Sequence, residues 1–326
     1  MSDHRRSDRD PGLLSRRDLL RSATLGAGAL GVSALVSACG SKGGGSSSTG
    51  TAPAGSLKAL AAGATQLSLL GTADAQNPLP VGRSLFTFGL VTPDNQLISG
   101  GSPQVWLAKD DTSKALGPFP ATSFHMSAYG LTGDKSPATE LTSFYGAEVE
   151  APSAGNWLIV AVADLNGTHV AGQGGAPVSE KVVGAIGSKA LSEPTPVAAS
   201  TAARAKICTR NPPCTMHSIS LDKALRSGRP TVISFATPLL CQSRMCGPVV
   251  DEQLVAFHQV GAAKANFIHV EEFPTRDPSK PAKAFSAWGF QTEPWVFVID
   301  KGGVIRARYM GPVTAVQIRD ALHPLL

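Results

Sequence analysis

Four cysteines in the second half of this 326-residue sequence are the side chains best suited to chemistry: Cys208, Cys214, Cys241 and Cys246. They admit three pairings, and closeness along the chain favours Cys208–Cys214 and Cys241–Cys246. Cys246 begins Cys246-Gly247-Pro248-Val249-Val250, which reads as the first turn of a helix. Pro248 suits that turn because it has no N–H to lose. Free N–H groups and a partial positive charge at a helix start stabilise a thiolate, and Arg244 lies two residues upstream. A thiolate so stabilised is both the reactive form in disulfide exchange and the better leaving group. Cys208 and Cys214 flank Pro212-Pro213 with no helix start nearby, so a structural disulfide is expected there.

Other chemistries find less support. The seven histidines are scattered; His217 precedes a helix, His269 lies in an apolar run with Glu271, and His125 and His169 read as surface residues. No Ser-His-Asp arrangement or Gly-x-Ser-x-Gly turn is visible, nor a phosphate-binding glycine loop or zinc-finger spacing. No metal is assigned. The net charge is +5, of which residues 1–38 carry +2. A surplus that small gives no reason to invoke nucleic acid. Hydrophobic residues make up 42% and charged residues 16%, enough apolar material for packed cores.

The elements around these residues divide the chain into five parts. Residues 1–38 are Arg-rich, then apolar from Ala23 to Ala38, and read as an export signal. Ser15-Arg16-Arg17-Asp18-Leu19-Leu20 resembles the twin-arginine signal, which carries folded cargo. Val36-Ser37-Ala38-Cys39 resembles the bacterial lipobox, in which the cysteine is acylated and becomes the first residue of the mature chain. The apolar run is short for a membrane span of about 20 residues. Residues 39–56 are Gly- and Ser-rich and read as a flexible tether. Acylation of Cys39 leaves four cysteines in an exported chain, an even number that suits disulfides.

Residues 57–188 carry β signals. Arg83–Val91 alternates in part and ends at the turn Pro93-Asp94-Asn95; Pro103–Leu107, Tyr145–Glu150 and Asn156–Ala163 read as strands, and Asn166-Gly167 is a strong hairpin signal. Short strands with regular turns suggest a β-sandwich, and Ala154-Gly155-Asn156-Trp157-Leu158-Ile159-Val160 resembles the late hairpin of immunoglobulin-like modules. Residues 189–215 are Pro- and Ala-rich in part and read as a linker. From 216 to 326 the period changes. A short helix at Leu221–Arg226 precedes a strand at Pro230–Ala236, a helix from Cys246, a strand at Asn266–Val270 and a helix at Lys280–Trp288. Strands at Pro294–Asp300 and Val304–Arg308 and a helix at Thr314–Leu325 complete the domain.

This order, the Phe-ended strand leading to Cys246-Gly247-Pro248, and Pro294 opening the next-to-last strand resemble membrane-tethered, extracytoplasmic proteins of the thioredoxin-like family. The resemblance spans about residues 217–326. It implies a thioredoxin-like fold, thiol–disulfide exchange with exported proteins and no organic cofactor. It also implies a cis Pro294 that lies against the cysteines and shapes the partner groove. The sequence departs from the family at Val249, which stands where the second cysteine would be; an extra Cys241 lies five residues upstream of Cys246, and the resemblance implies Cys246 as attacking thiol with Cys241 able to serve as the resolving thiol. Glu293 stands before the strand proline, where a carboxylate would raise a thiol pKa.

The resulting expectation is a lipid-anchored thiol–disulfide oxidoreductase on the outer face of a bacterial cell membrane. An alternative is a copper-handling protein of related fold, with Cys241, Cys246 and a histidine as ligands and Met216 and Met245 nearby. Another is a binding lipoprotein in which Cys241–Cys246 is only a staple.

Overall fold

The computed structural model describes residues 53–126, 143–165, 167–241, 243 and 245–326. The leader, Cys39 and most of the tether lie outside these residues, as do Arg244 and Asn166. All described residues belong to one compact unit that begins at Gly50.

The N-terminal half contains helix α1 (Leu57–Leu60) and nine strands. They are β1 (Thr65–Gly71), β2 (Leu79–Pro80), β3 (Gly82–Val91), β4 (Leu97–Ile98), β5 (Gln104–Ala108), β6 (Leu116–His125), β7 (Ser143–Ala151), β8 (Gly155–Leu165) and β9 (Thr168–Ser179). Phe86, Phe88 and Leu90 recur every second residue of β3 and point inward with Val105, Leu107, Tyr145, Val149 and Ile159. Between β8 and β9 Leu165 pairs with Thr168, so the loop is two residues long, and Gly167 takes φ +80° as such a turn requires.

The expected sandwich of two facing sheets gives way to a closed ring. The order β1-β3-β7-β6-β5-β8-β9 returns to β1, which pairs antiparallel with β3 and parallel with β9. β1 therefore bridges the two edges that a sandwich would leave open, and closure removes exposed strand edges. β6 and β9 were not expected as strands. β6 contains Pro118 and Pro120, and it pairs with β5 over 116–120 but with β7 over 121–125. Both prolines thus sit where only one side of the strand is paired, and a missing N–H is tolerated there. Glycines of β9 sit where β1 and β3 crowd it; a Cβ on Gly172 would collide with the side chain of Leu90 of β3, and one on Gly174 would press on Leu69 of β1.

The C-terminal half follows the expected element order. After α2 (Thr201–Arg204) and α3 (Leu221–Ala224) come β10 (Thr231–Phe235), α4 (Cys246–Val260), β11 (Asn266–Val270), α5 (Lys283–Trp288), β12 (Trp295–Ile299), β13 (Ile305–Met310) and α6 (Ala315–Leu322). The sheet order is β11-β10-β12-β13; β10 runs parallel to β11 and antiparallel to β12, and β13 is antiparallel to β12. This four-stranded sheet, with a helix starting at Cys246 after its central strand, is a thioredoxin-like domain. β10, β11 and β12 are buried along their whole length, which explains their unbroken apolar runs. Val232 and Val298 face α4 and α6, while Ile233, Phe235 and Phe297 face α3, α5 and the barrel.

The segment read as a linker is packed. Lys189 bridges to Val304, Thr195 and Ser220 are joined by a 2.8 Å hydrogen bond, and Cys208 and Cys214 are buried. The two halves also share one apolar core that runs from Phe86 and Leu69 to Trp295 and Phe297.

Candidate functional site

Cys241 and Cys246 are joined in a disulfide with their Cα atoms 6.0 Å apart. Cys246 is the first residue of α4. Its N-cap is Met245, and no side chain among the described residues caps the exposed N–H groups of that turn. Cys241 lies in the loop before the helix, held by its N–H donating to the carbonyl of Thr237 at 3.0 Å. The exposure of the two sulfur-bearing residues differs. Cys246 is fully buried with Val249, Val250, Met126 and Phe144, whereas Cys241 is partly exposed and its Sγ lies 3.2 Å from Ser243 Oγ.

The Glu293–Pro294 peptide is cis. A carboxylate oxygen of Glu293 and the two sulfurs all lie within 4.8 Å of one another. Glu293 Oε2 is buried with no hydrogen-bond partner among the described residues. Burial first, and the nearby Glu272 and Glu271, raise the Glu293 carboxyl to about 8 against the opposing pull of a hydrogen bond with Thr237 and of His269. Glu272 is itself raised to about 7 by burial. At neutral pH Glu293 is therefore mostly a neutral acid, and the charge repulsion expected between it and a thiolate appears only at higher pH.

A groove of about 430 Å³ lies next to this pair, lined by Ser243 and Met245 from the segment between the two cysteines. Ser243, Met245, Glu293 and Pro294 form one wall, and Leu70, Thr72, Phe88 and Phe144 of the barrel form the other. The barrel wall could not be read from the sequence, because these residues are separated from the cysteines by more than ninety positions and carry no motif. A 2.8 Å hydrogen bond from Asn77 Nδ2 to Thr292 Oγ1 ties the walls together.

The other two cysteines are not bridged, contrary to the expected structural disulfide. Their Sγ atoms are 4.0 Å apart, and both residues are buried. His217 and His269 join them, rather than joining Cys241 and Cys246 as the copper alternative required. The reason is register: the backbone N–H of His269 donates to the Met216 carbonyl at 2.8 Å, which lays the 214–217 segment along β11 and turns both imidazoles onto Cys214. Within the thiol pair, the hydrogen bond between Cys208 and Cys214 lowers the pKa of Cys208 and, with burial, raises that of Cys214. Cys214-x-x-His217 was the available sequence signal, obscured by the distance to His269.

No family model matches this chain, and no curated protein matches it. Several solved structures do. A secreted thiol-disulfide isomerase from Corynebacterium glutamicum matches at 16% identity and a TM-score of 0.26, over 33% of this chain and 75% of that one. A thiol:disulfide interchange protein of the thioredoxin family from Chlorobium tepidum TLS matches at 14% and 0.27, over 42% of this chain and 99% of its own. The Lin-41 filamin domain matches at 13% and 0.21, over 35% and 93%. The fold assignment above rests on strand order and helix placement. No helix among the described residues is long and apolar enough to cross a membrane.

Proposed function

We propose that this chain is a lipid-anchored, extracytoplasmic thioredoxin-like protein that exchanges thiols and disulfides with exported proteins, with the leader directing export and Cys39 carrying the lipid. The observation that carries this reading is the Cys241–Cys246 disulfide at the start of α4, with Glu293 within 4.8 Å of both sulfurs and an apolar groove lined by Ser243, Met245, Glu293 and Pro294 next to it.

The difference in exposure exchanges the roles expected from the sequence. Cys241 is partly exposed and Cys246 fully buried, so Cys241 is the sulfur a partner thiolate meets first. The thiolate attacks Cys241; the S–S bond breaks, and the electron pair goes to Cys246 Sγ, a leaving group stabilised by the α4 N-terminus. A second thiolate of the partner then attacks the partner's own sulfur in the mixed disulfide and releases the Cys241 thiolate. The partner dithiol is oxidised to a disulfide, and the Cys241–Cys246 pair is reduced. The reverse sequence reduces a partner disulfide and re-forms the Cys241–Cys246 bond. No organic cofactor takes part.

The experiment is mass spectrometry of two variants. Cys246→Ser, reduced and mixed with a disulfide-bonded peptide, should trap a mixed disulfide through Cys241, because the resolving thiol is gone. Cys241→Ser should trap none. Trapping through Cys246 alone would restore the roles expected from the sequence, and trapping through neither would leave Cys241–Cys246 as a structural staple.

A further inference from the structure

We propose that Cys208, Cys214, His217 and His269 form a buried, four-coordinate zinc site, separate from the Cys241–Cys246 pair. The four side chains come from two places in the chain. Cys208, Cys214 and His217 belong to one loop, and His269 lies on the adjoining strand β11. All four are buried, and their ligand atoms lie within 4.8 Å of one another.

The distances fit a tetrahedron around a small ion. With metal–sulfur bonds of about 2.3 Å and metal–nitrogen bonds of about 2.0 Å, the edges are about 3.8 Å for sulfur–sulfur and about 3.5 Å for sulfur–nitrogen. The observed separations are 4.0 Å for Cys208–Cys214, 3.7 Å and 3.4 Å from His269 Nδ1 to Cys208 and Cys214, and 3.3 Å from His217 Nε2 to Cys214.

The surroundings fit as well. His269 Nε2 donates to the carbonyl of Ala236 at 2.8 Å, so its proton sits on Nε2 and the Nδ1 lone pair faces the sulfurs. A backbone partner on the far nitrogen is the usual support for a ligating histidine. His217 reaches the cluster through Nε2, and its buried Nδ1 has no partner among the described residues. Its burial gains nothing from hydrogen bonding beyond the cluster. The loop itself is clamped: the Arg210 guanidinium holds Asp251 of α4 at 2.7 Å with both groups buried, and Thr209 Oγ1 donates to Glu271 at 2.8 Å. Two thiolates and two neutral imidazoles around a divalent ion sum to zero charge, which makes deep burial tolerable; two buried thiolates alone would be costly. Four protein ligands leave no open position, so the ion is structural. A chain exported folded, as the twin-arginine leader implies, takes up the ion in a reducing compartment before an oxidant can pair the two thiols.

The test uses the full chain, purified without added metal. Elemental analysis should find one zinc per chain. Exchange for Co²⁺ should give the visible bands of a tetrahedral ion together with sulfur-to-cobalt charge transfer. The Cys241→Ser, Cys246→Ser double variant should keep both signals. Cys208→Ser should lose stoichiometric zinc, while His217→Cys should keep the ion and intensify the charge transfer. That pair of variants, with the cobalt spectrum of the unaltered chain, reads the ligand set even if one variant fails to fold. The proposal is overturned if the anaerobically reduced chain fails to take up one Zn²⁺ or gives an octahedral cobalt spectrum. Copper as the sole bound metal, or loss of the ion in the double variant, overturns it equally.

Discussion

At the scale of single residues, Glu293 couples the disulfide to pH. Its carboxyl is raised from 4.5 to about 8, first by burial. A raised folded-state value means the folded chain holds a proton that the unfolded chain has released. The resulting stabilisation is full below about pH 4.5 and is lost as pH rises through about 8. Glu272, raised to about 7, acts with the same sign. Urea unfolding of the oxidised protein should therefore show stability falling from pH 5 to pH 8, by at most about 1.4 kcal/mol per pH unit for each group. Glu293→Gln should make that slope shallower and remove an inflection near pH 8 from the rate of thiol exchange. Equal slopes in the two proteins would show that Glu293 titrates as an ordinary surface acid.

At the scale of elements, β6 and β9, among the strands that escaped the sequence reading, mark where packing overrides local preference. β9 keeps Gly172 because Leu90 of β3 occupies the space a side chain would need. Gly172→Ala should cost about 1–3 kcal/mol through overpacking, read as a lower denaturation midpoint with unchanged slope. Helix α6 is the opposite case. Its start is written in the sequence as Thr314-x-x-Gln317, and both hydrogen bonds of that capping box form. Thr314→Ala should cost about 1 kcal/mol in the same measurement, because it orphans the Gln317 N–H. A variant as stable as the parent would show that the 2.7 Å bond from the Ala315 N–H to Glu252 suffices to hold the helix end.

At the scale of the whole molecule, the barrel and the thioredoxin-like domain share a core, so they should unfold together. Calorimetry of the chain should give one transition, and a fragment of 216–326 alone should be unstable, because Trp295, Phe297 and Phe235 belong to the same apolar cluster as the barrel's Phe86 and Leu69. Two separated transitions would show that the shared core is not cooperative. The anchor is tested separately: Cys39→Ala should move the protein from the membrane fraction to the soluble fraction. If the variant stays bound, Cys39 does not carry the attachment.

The C-terminal domain was legible because its signals are local: apolar runs, Cys246-Gly247-Pro248 at a helix start, and Pro294 before a strand. Order along the chain therefore set the element order of that half and favoured Cys241–Cys246, five residues apart, but the same closeness favoured a Cys208–Cys214 bridge that does not form. Closure of the barrel was not legible. It depends on β1 pairing with β9 across about a hundred residues, and no periodicity within either strand encodes a partner. Only the folded chain leaves Cys241 partly exposed and Cys246 buried, since Cys246 clusters with Met126 and Phe144 from the N-terminal half. Tertiary structure also decided that Cys208 and Cys214 meet His269 from sixty-one and fifty-five positions away instead of meeting each other in a bond. Local spacing specifies local hydrogen bonds and helix ends, whereas burial and ligand sets are properties of surfaces that come together only when the chain folds.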